Sequence, residues 1–224
     1  MSIQSIREKN KDNIRNLILE TARQGIVEQG YENFSLRSLA QRIGYSPAAI
    51  YRYFKSKDDI FACLTQESFG LLMDASSSVV PGPNEDPVSV LKRGMHAYVT
   101  FGLRNPDHYR IAFLLGGGES TPPHRPRNSY DSLRSRIQRC IDARRFPPAD
   151  IDLLAQSLWA AAHGVTSLLV QRPSFPWVTP DMLVSRVIDS AVDALILPQL
   201  APEVPENGHR LRNDKESAFP NTSR

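Results

Sequence analysis

Seventeen of the 224 residues are proline, and all but Pro47 and Pro220 are grouped at 81–87, 106, 122–126, 147–148, 173–180 and 198–205. Proline lacks the backbone N–H and its ring collides with the preceding turn, so each group marks a helix boundary. Between the groups, apolar residues recur at three- and four-residue steps. Almost nowhere do they show the strict alternation of a half-buried strand. The chain is therefore predicted to be all-α, with about nine helices near 5–29, 36–43, 47–53, 57–79, 87–104, 106–115, 126–145, 148–171 and 180–197.

Hydrophobic residues make up 41% and charged residues 23%, ordinary globular usage that excludes wholesale disorder. The longest weakly polar run, 157–170, is interrupted by His163 and falls short of the ~20 apolar residues of a membrane span. The opening MSIQSIREKNKDN lacks the apolar stretch of a secretion signal. Cys63 and Cys140 make neither a bridge framework nor a zinc set and are expected as buried or half-buried thiols. A soluble, cytoplasmic protein with no membrane partner is the expectation. The histidines at 96, 108, 124 and 163 put no two on one helix face, so neither metal nor cofactor is expected. The loop from Gly116 to Gly118 lacks the Lys-Ser/Thr ending of a phosphate loop. No nucleophile elbow or His-Glu-x-x-His motif occurs, so no enzyme is expected. From Ala201 the chain mixes Pro, Glu, Asn and Arg with little apolar spacing and is predicted to be a disordered tail.

Net charge is only +3, but residues 1–57 carry 10 Lys/Arg against 5 Asp/Glu, while 58–224 carry 17 against 19. A basic terminal unit on a near-neutral body points to an anionic partner, nucleic acid before membrane. In that unit Ile14, Leu17, Ile18, Thr21, Ala22 and Gly25 place an apolar stripe on a long first helix, which Gly30 ends. Ser35 caps a short second helix with Leu36, Leu39, Ala40 and Ile43 inward. Gly44 turns the chain, and Ser46 caps a third helix that opens on Pro47. Ser56 caps the fourth, with Asp58 and Asp59 in its first turn. Two short helices around a glycine turn, with a supporting helix before them, form a helix-turn-helix.

The tract Gly30-Tyr31, Phe34-Ser35-Leu36-Arg37, Ile43-Gly44-Tyr45-Ser46-Pro47 and Ile50-Tyr51-Arg52-Tyr53-Phe54-Lys55-Ser56-Lys57 resembles, in register, the TetR family of bacterial repressors. The resemblance implies an N-terminal helix-turn-helix at 1–56, a ligand-binding and dimerisation domain at 57–200, and the tail at 201–224. It implies a double-stranded DNA operator as partner, with Ser35, Ser46, Pro47, Ala48, Ala49, Tyr51, Arg52, Tyr53 and Lys57 at the DNA. Small side chains at the N-terminal end of the third helix permit close approach to base edges and thymine methyls. Arg52 can grip a guanine edge with two hydrogen bonds or hold a phosphate. Ser35, Tyr51, Tyr53 and Lys57 match phosphate-holding positions. Tyr51 has the alternative of packing on helix 1, and Arg37 and Arg42 read as solvated charges.

Two weaker patterns resemble one subgroup of the family: Asn105-Pro106-Asp107-His108-Tyr109-Arg110 and Trp159-Ala160-Ala161-Ala162-His163-Gly164. Trp159 and His163, four apart, share a helix face, either as core or as a pocket wall. The family implies a small-molecule effector, expected here between helices 5 to 8 and mostly apolar to suit a lining of Met95, Phe101, Tyr109, Phe113, Trp159, His163 and Thr166. No charged residue belongs to that set. Helices 8 and 9 are too apolar to face water and are expected to form a four-helix homodimer interface. An effector-independent DNA-binding protein or an activator on the same scaffold stays open as the alternative.

Overall fold

The computed structural model describes residues 3–115 and 127–197. Among them every regular element is helical: α1 (Ile3–Gln29), α2 (Leu36–Arg42), α3 (Pro47–Tyr51), α4 (Lys57–Ser77), α5 (Pro87–Arg104), α6 (Pro106–Tyr109), α7 (Arg127–Asp142), α8 (Ile151–Gln171) and α9 (Pro180–Asp193). The all-α expectation holds, and Pro47, Pro87, Pro106 and Pro180 each open a helix, where the missing donor costs nothing. Gly30 (φ +82°) and Gly44 (φ +71°) take the left-handed backbone that ends α1 and α2. The predicted loop from Gly116, His124 and the tail from Ala201 lie outside the described residues.

Several boundaries differ from the expectation. The third helix stops at Tyr51, leaving Arg52 as its C-cap and Tyr53 in the turn that follows. α7 ends at Asp142, and Arg144 (φ +55°) turns the chain. The eighth helix begins three residues beyond Pro148, where the Asp150 carboxylate accepts from the N–H groups of Asp152 and Leu153. The sixth divides: α6 passes at Arg110 into a π-helical turn through Leu114. On α1 the buried stripe runs through Ile18, Ala22 and Ile26 with Leu19, and Leu17 is turned to solvent.

Three apolar clusters hold the helices. The first joins α1 to α3 through Ile18, Ile26, Phe34, Leu39, Ile50 and Phe54. It extends into α4 at Ile60, Phe61 and Leu64, and takes Ile111 from the π-helical turn. The largest lies among α5, α7, α8 and α9, around Leu91, Val99, Ile137, Leu158, Val165 and Ile188. A small one of Leu72, Phe101, Tyr109 and Val170 sits between them. Cys140 is in the large core, where burial pushes its thiol up to about 12 and leaves it inert, and Cys63 is half-buried.

By length and composition α8 could cross a membrane. Here its Leu154, Leu158 and Leu169 are buried in the large core, as in the central helix of a bundle. Its opposite face presents Leu153 (63% exposed) and Leu168 (52%) on either side of Ser157, Ala160 and Gly164. A Cβ added at Gly164 would meet no atom within 4 Å. On α9, Ile188 and Val192 are buried, while Leu183, Val187 and Ala191, with Leu195 just beyond its end, are half-covered.

Candidate nucleic-acid interface and interior cavity

The helix-turn-helix is positioned by its caps. Ser35 Oγ accepts from the Ser38 N–H at 3.1 Å, Ser46 Oγ from Ala49 at 3.2 Å and Ser56 Oγ from Asp59 at 3.1 Å. Each satisfies one of the orphan donors at a helix start. Ile50 is fully buried and anchors α3 to the core, which turns the rest of that helix outward. Ser46, Pro47, Ala48, Tyr51 and Arg52 are exposed, and Ala49 and Tyr53 are half-covered. Tyr51 is 56% exposed.

Lys57 is placed differently. Its Nζ donates to the Tyr31 carbonyl at 3.4 Å and lies 4.4 Å above the Tyr31 ring centroid. The Tyr31 hydroxyl donates to Asp58; burial first and that hydrogen bond second push the phenol up to about 12. The ammonium is thus held at the start of α4 by a cation–π contact and a carbonyl. Ser35 is exposed at the start of α2. Arg37 is exposed too, whereas Arg42 pairs with Glu28 at 2.9 Å instead of standing free.

The second feature is a cavity of about 1150 Å³ among α4, α5, α7 and α8. Met95, Phe113, Trp159 and His163 line it as expected. Phe101, Tyr109 and Thr166 do not line it: all three are fully or almost fully buried behind the wall. Thr166 Oγ1 donates to the Ala162 carbonyl at 2.7 Å, and Phe101 packs with Leu72 and Val170. Tyr109 lies behind His163, its hydroxyl 2.7 Å from His163 Nδ1, while the Tyr98 hydroxyl lies 3.0 Å from the same nitrogen. The Trp159 indole N–H donates to Tyr98 Oη at 3.3 Å. The Asn-Pro-x-x-Tyr-Arg and Trp-x-x-x-His-Gly patterns therefore meet in space. Burial lowers the His163 pKa, which keeps the ring neutral so that a nitrogen can accept; burial also raises both tyrosines.

The expectation of an uncharged lining is not met. Asp131, Arg134, Arg136 and Asp152 reach the cavity from α7 and the start of α8. Arg134 Nε lies 3.0 Å from the Asp152 carboxylate, to which the Tyr130 hydroxyl also donates at 3.3 Å. Periodicity could have found Tyr98, one helical turn beyond Met95. The charged residues carry no such signal, because α7 presents four arginines in 16 residues and only packing selects which face inward.

One element touches both features. In the π-helical turn Phe113 lines the cavity, and two residues earlier Ile111 is buried in the core of the helix-turn-helix. A π turn widens the helix and re-aims its side chains, which lets both contacts come from neighbouring positions. Among the described residues no group of three His, Cys, Asp or Glu can hold a metal ion.

Residues 18–64 match the family described as bacterial regulatory proteins, tetR family, and residues 91–195 match a tetracyclin repressor-like C-terminal domain. The chain belongs to the TetR family. It is 28% identical over 126 residues to an HTH-type transcriptional regulator of Mycobacterium tuberculosis, covering 53% of this chain and 52% of that one. It therefore spans about half the length of that relative. It is 27% identical over 171 residues to the HTH-type transcriptional regulator AcrR of Shigella flexneri, covering 70% of this chain and 76% of AcrR. Both relatives are named as transcriptional regulators. The crystal structure of the TetR family transcriptional regulator PfmR from Thermus thermophilus has the same fold. The match has a TM-score of 0.64 at 24% identity over 79% of this chain and 97% of PfmR. The exposed α3 falls within the first matched range, and most of the cavity lining falls within the second. The match to the Trp-x-x-x-His-Gly subgroup rests on the two sequence patterns alone.

Proposed function

We propose that this TetR-family chain is a cytoplasmic, ligand-responsive transcriptional repressor that binds a palindromic operator as a homodimer. The observation that carries the DNA part is the outward face of α3. Ser46 caps the helix and Ile50 fixes it in the core, and the exposed remainder is small or hydrogen-bonding. In this reading residues 1–56 read DNA, with Pro47, Ala48 and Ala49 against base edges and Arg52 on a guanine or a phosphate. Ser35, Ser46, Tyr51, Tyr53 and Lys57 set the register on phosphates, Lys57 swinging from the Tyr31 ring to reach one. One such surface is too small for tight specific binding, so two recognition helices related by a two-fold axis read half-sites ~34–36 Å apart.

Residues 57–200 sense and dimerise. The outward stripe of α8, with small residues between Leu153 and Leu168, and the half-covered edge of α9 supply the isologous face. The effector enters the cavity beside Met95, Tyr98, Phe113, Trp159 and His163. It shifts α4 and the π-helical turn, both of which reach the helix-turn-helix core. Switching from mostly DNA-competent to mostly released requires about 5.5 kcal/mol of differential affinity. Fluorescence anisotropy on fragments of the promoter upstream of its own gene tests the proposal. Salt-dependent, saturable binding that a competing random duplex does not abolish is expected; equal affinity for every duplex would overturn the operator reading.

A further inference from the structure

Arg93, Arg134, Arg136 and Arg139 lie on or beside α7, and all but Arg136 are accounted for. Arg134 pairs with Asp152 at 3.0 Å, Arg93 with Glu85 at 2.7 Å, and Arg139 is exposed to water. Arg136 is different. It lines the cavity, is half-buried, and among the described residues no carboxylate lies within ion-pair distance of it. Its Nη2 donates to the Ser76 carbonyl at 2.7 Å and its Nη1 to Ser76 Oγ at 3.2 Å, both neutral acceptors near the end of α4. The stem is clamped: a Cβ on Gly94 would lie 3.1 Å from Cδ, Nε and Cζ of Arg136, so the glycine lets the guanidinium lie flat on α5.

A guanidinium removed from water without a counter-charge is costly, and the neighbouring Arg139 and Arg93 add repulsion to the desolvation that already lowers its pKa. The rest of the lining is largely apolar or aromatic, with Leu72, Leu91, Met95, Tyr98, Phe113 and Trp159 along α4, α5, α8 and the π-helical turn. Of the two acids in the lining, Asp152 is consumed by Arg134, and Asp131 is turned to solvent. An uncompensated, preorganised fork in the wall of a largely apolar chamber is complementary to a planar anion on an apolar body. We infer that the ligand of this cavity is an amphipathic carboxylate whose charged end takes the Arg136 guanidinium and whose apolar body lies along α5 and α8.

The inference rests on the cavity being the effector site, and it is tested without DNA, so failure of operator binding leaves it standing. Isothermal titration calorimetry of the full chain with decanoate, decanol and decylamine compares one body carrying three heads. Decanoate is expected to bind about tenfold or more tighter than decanol, as a charge-assisted pair in a partly dry site requires, with decylamine weakest. Arg136→Gln is expected to bring decanoate to the decanol level and leave decanol unchanged. Arg139→Gln, on the exposed face of the same helix, keeps the preference. If Arg136→Gln fails to fold, Arg136→Met supplies the uncharged variant with an apolar stem suited to the lining. Equal affinities of decanoate and decanol, no binding of any of the three, or a preference that survives loss of the guanidinium would overturn the inference.

Discussion

At Gly102, α5 lies close against Thr166 of α8 and Tyr109 of α6. A Cβ added there would overlap the Thr166 Cγ2 methyl and lie 2.9 Å from Tyr109 Cδ2. Neither neighbour can yield. Thr166 is fully buried with its hydroxyl fixed on the Ala162 carbonyl at 2.7 Å, and the fully buried Tyr109 ring is stacked 5.6 Å from His163. Overpacking of this kind costs up to ~3 kcal/mol. Alanine in a helix interior returns ~1 kcal/mol of propensity, so Gly102→Ala is expected to destabilise by ~2 kcal/mol net. For a chain of this size that lowers Tm by ~4–8 °C, read by circular dichroism melting and calorimetry. Gly70→Ala, on the exposed side of α4, is the internal control, because its added methyl meets nothing within 4 Å and only the propensity gain remains. A Gly102→Ala protein that melts at or above the parent would refute the argument that the approach of α5 to α8 requires a glycine.

Lys57→Ala is expected to weaken binding to all duplexes and to reduce the salt slope by about 1, whereas Ala48 substitutions change which bases are preferred. Unaltered salt dependence in Lys57→Ala would show that the ammonium stays on Tyr31 when DNA is bound. Leu153→Glu with Leu168→Glu, two outward leucines of α8, is expected to yield a folded monomer by light scattering. A dimer that persists would place the interface elsewhere. Burial holds the pKa values of both His108 and His163 below the ordinary histidine value. The unfolded chain therefore takes up protons first as pH falls through that range, so stability is full above it and declines below it. Urea midpoints measured from about pH 8 to about pH 5 are expected to fall on acidification, and less steeply in His163→Gln; a level profile would contradict a neutral, buried His163.

The helical reading succeeded where the signal is local. Proline and serine at helix starts, and Gly30 and Gly44 at positive φ, act through the backbone of the residues beside them, so α1 to α5 are legible from composition and spacing. It failed where packing decides an end. α3 stops at Tyr51 because Tyr53 and Phe54 turn back onto the core, and the sixth helix widens into a π turn because Ile111 and Phe113 answer to different neighbours. The cavity was half legible. A helical face predicts Trp159 and His163 together, but which of two tyrosines stands in front of His163 depends on the crossing of α5, α6 and α8.

The amino-acid sequence by itself determined the helix-turn-helix, because caps, turn glycines and one buried face are short-range requirements that leave few alternatives over about fifty residues. It also determined that α8 has more apolar surface than one core can cover. Only the tertiary structure decided that Arg134 is neutralised by Asp152 while Arg136, two residues on, is left with Ser76 alone. Positions two apart on a helix point about 200° apart, so identical side chains meet different elements, and a charge acquires its meaning only from what it is packed against.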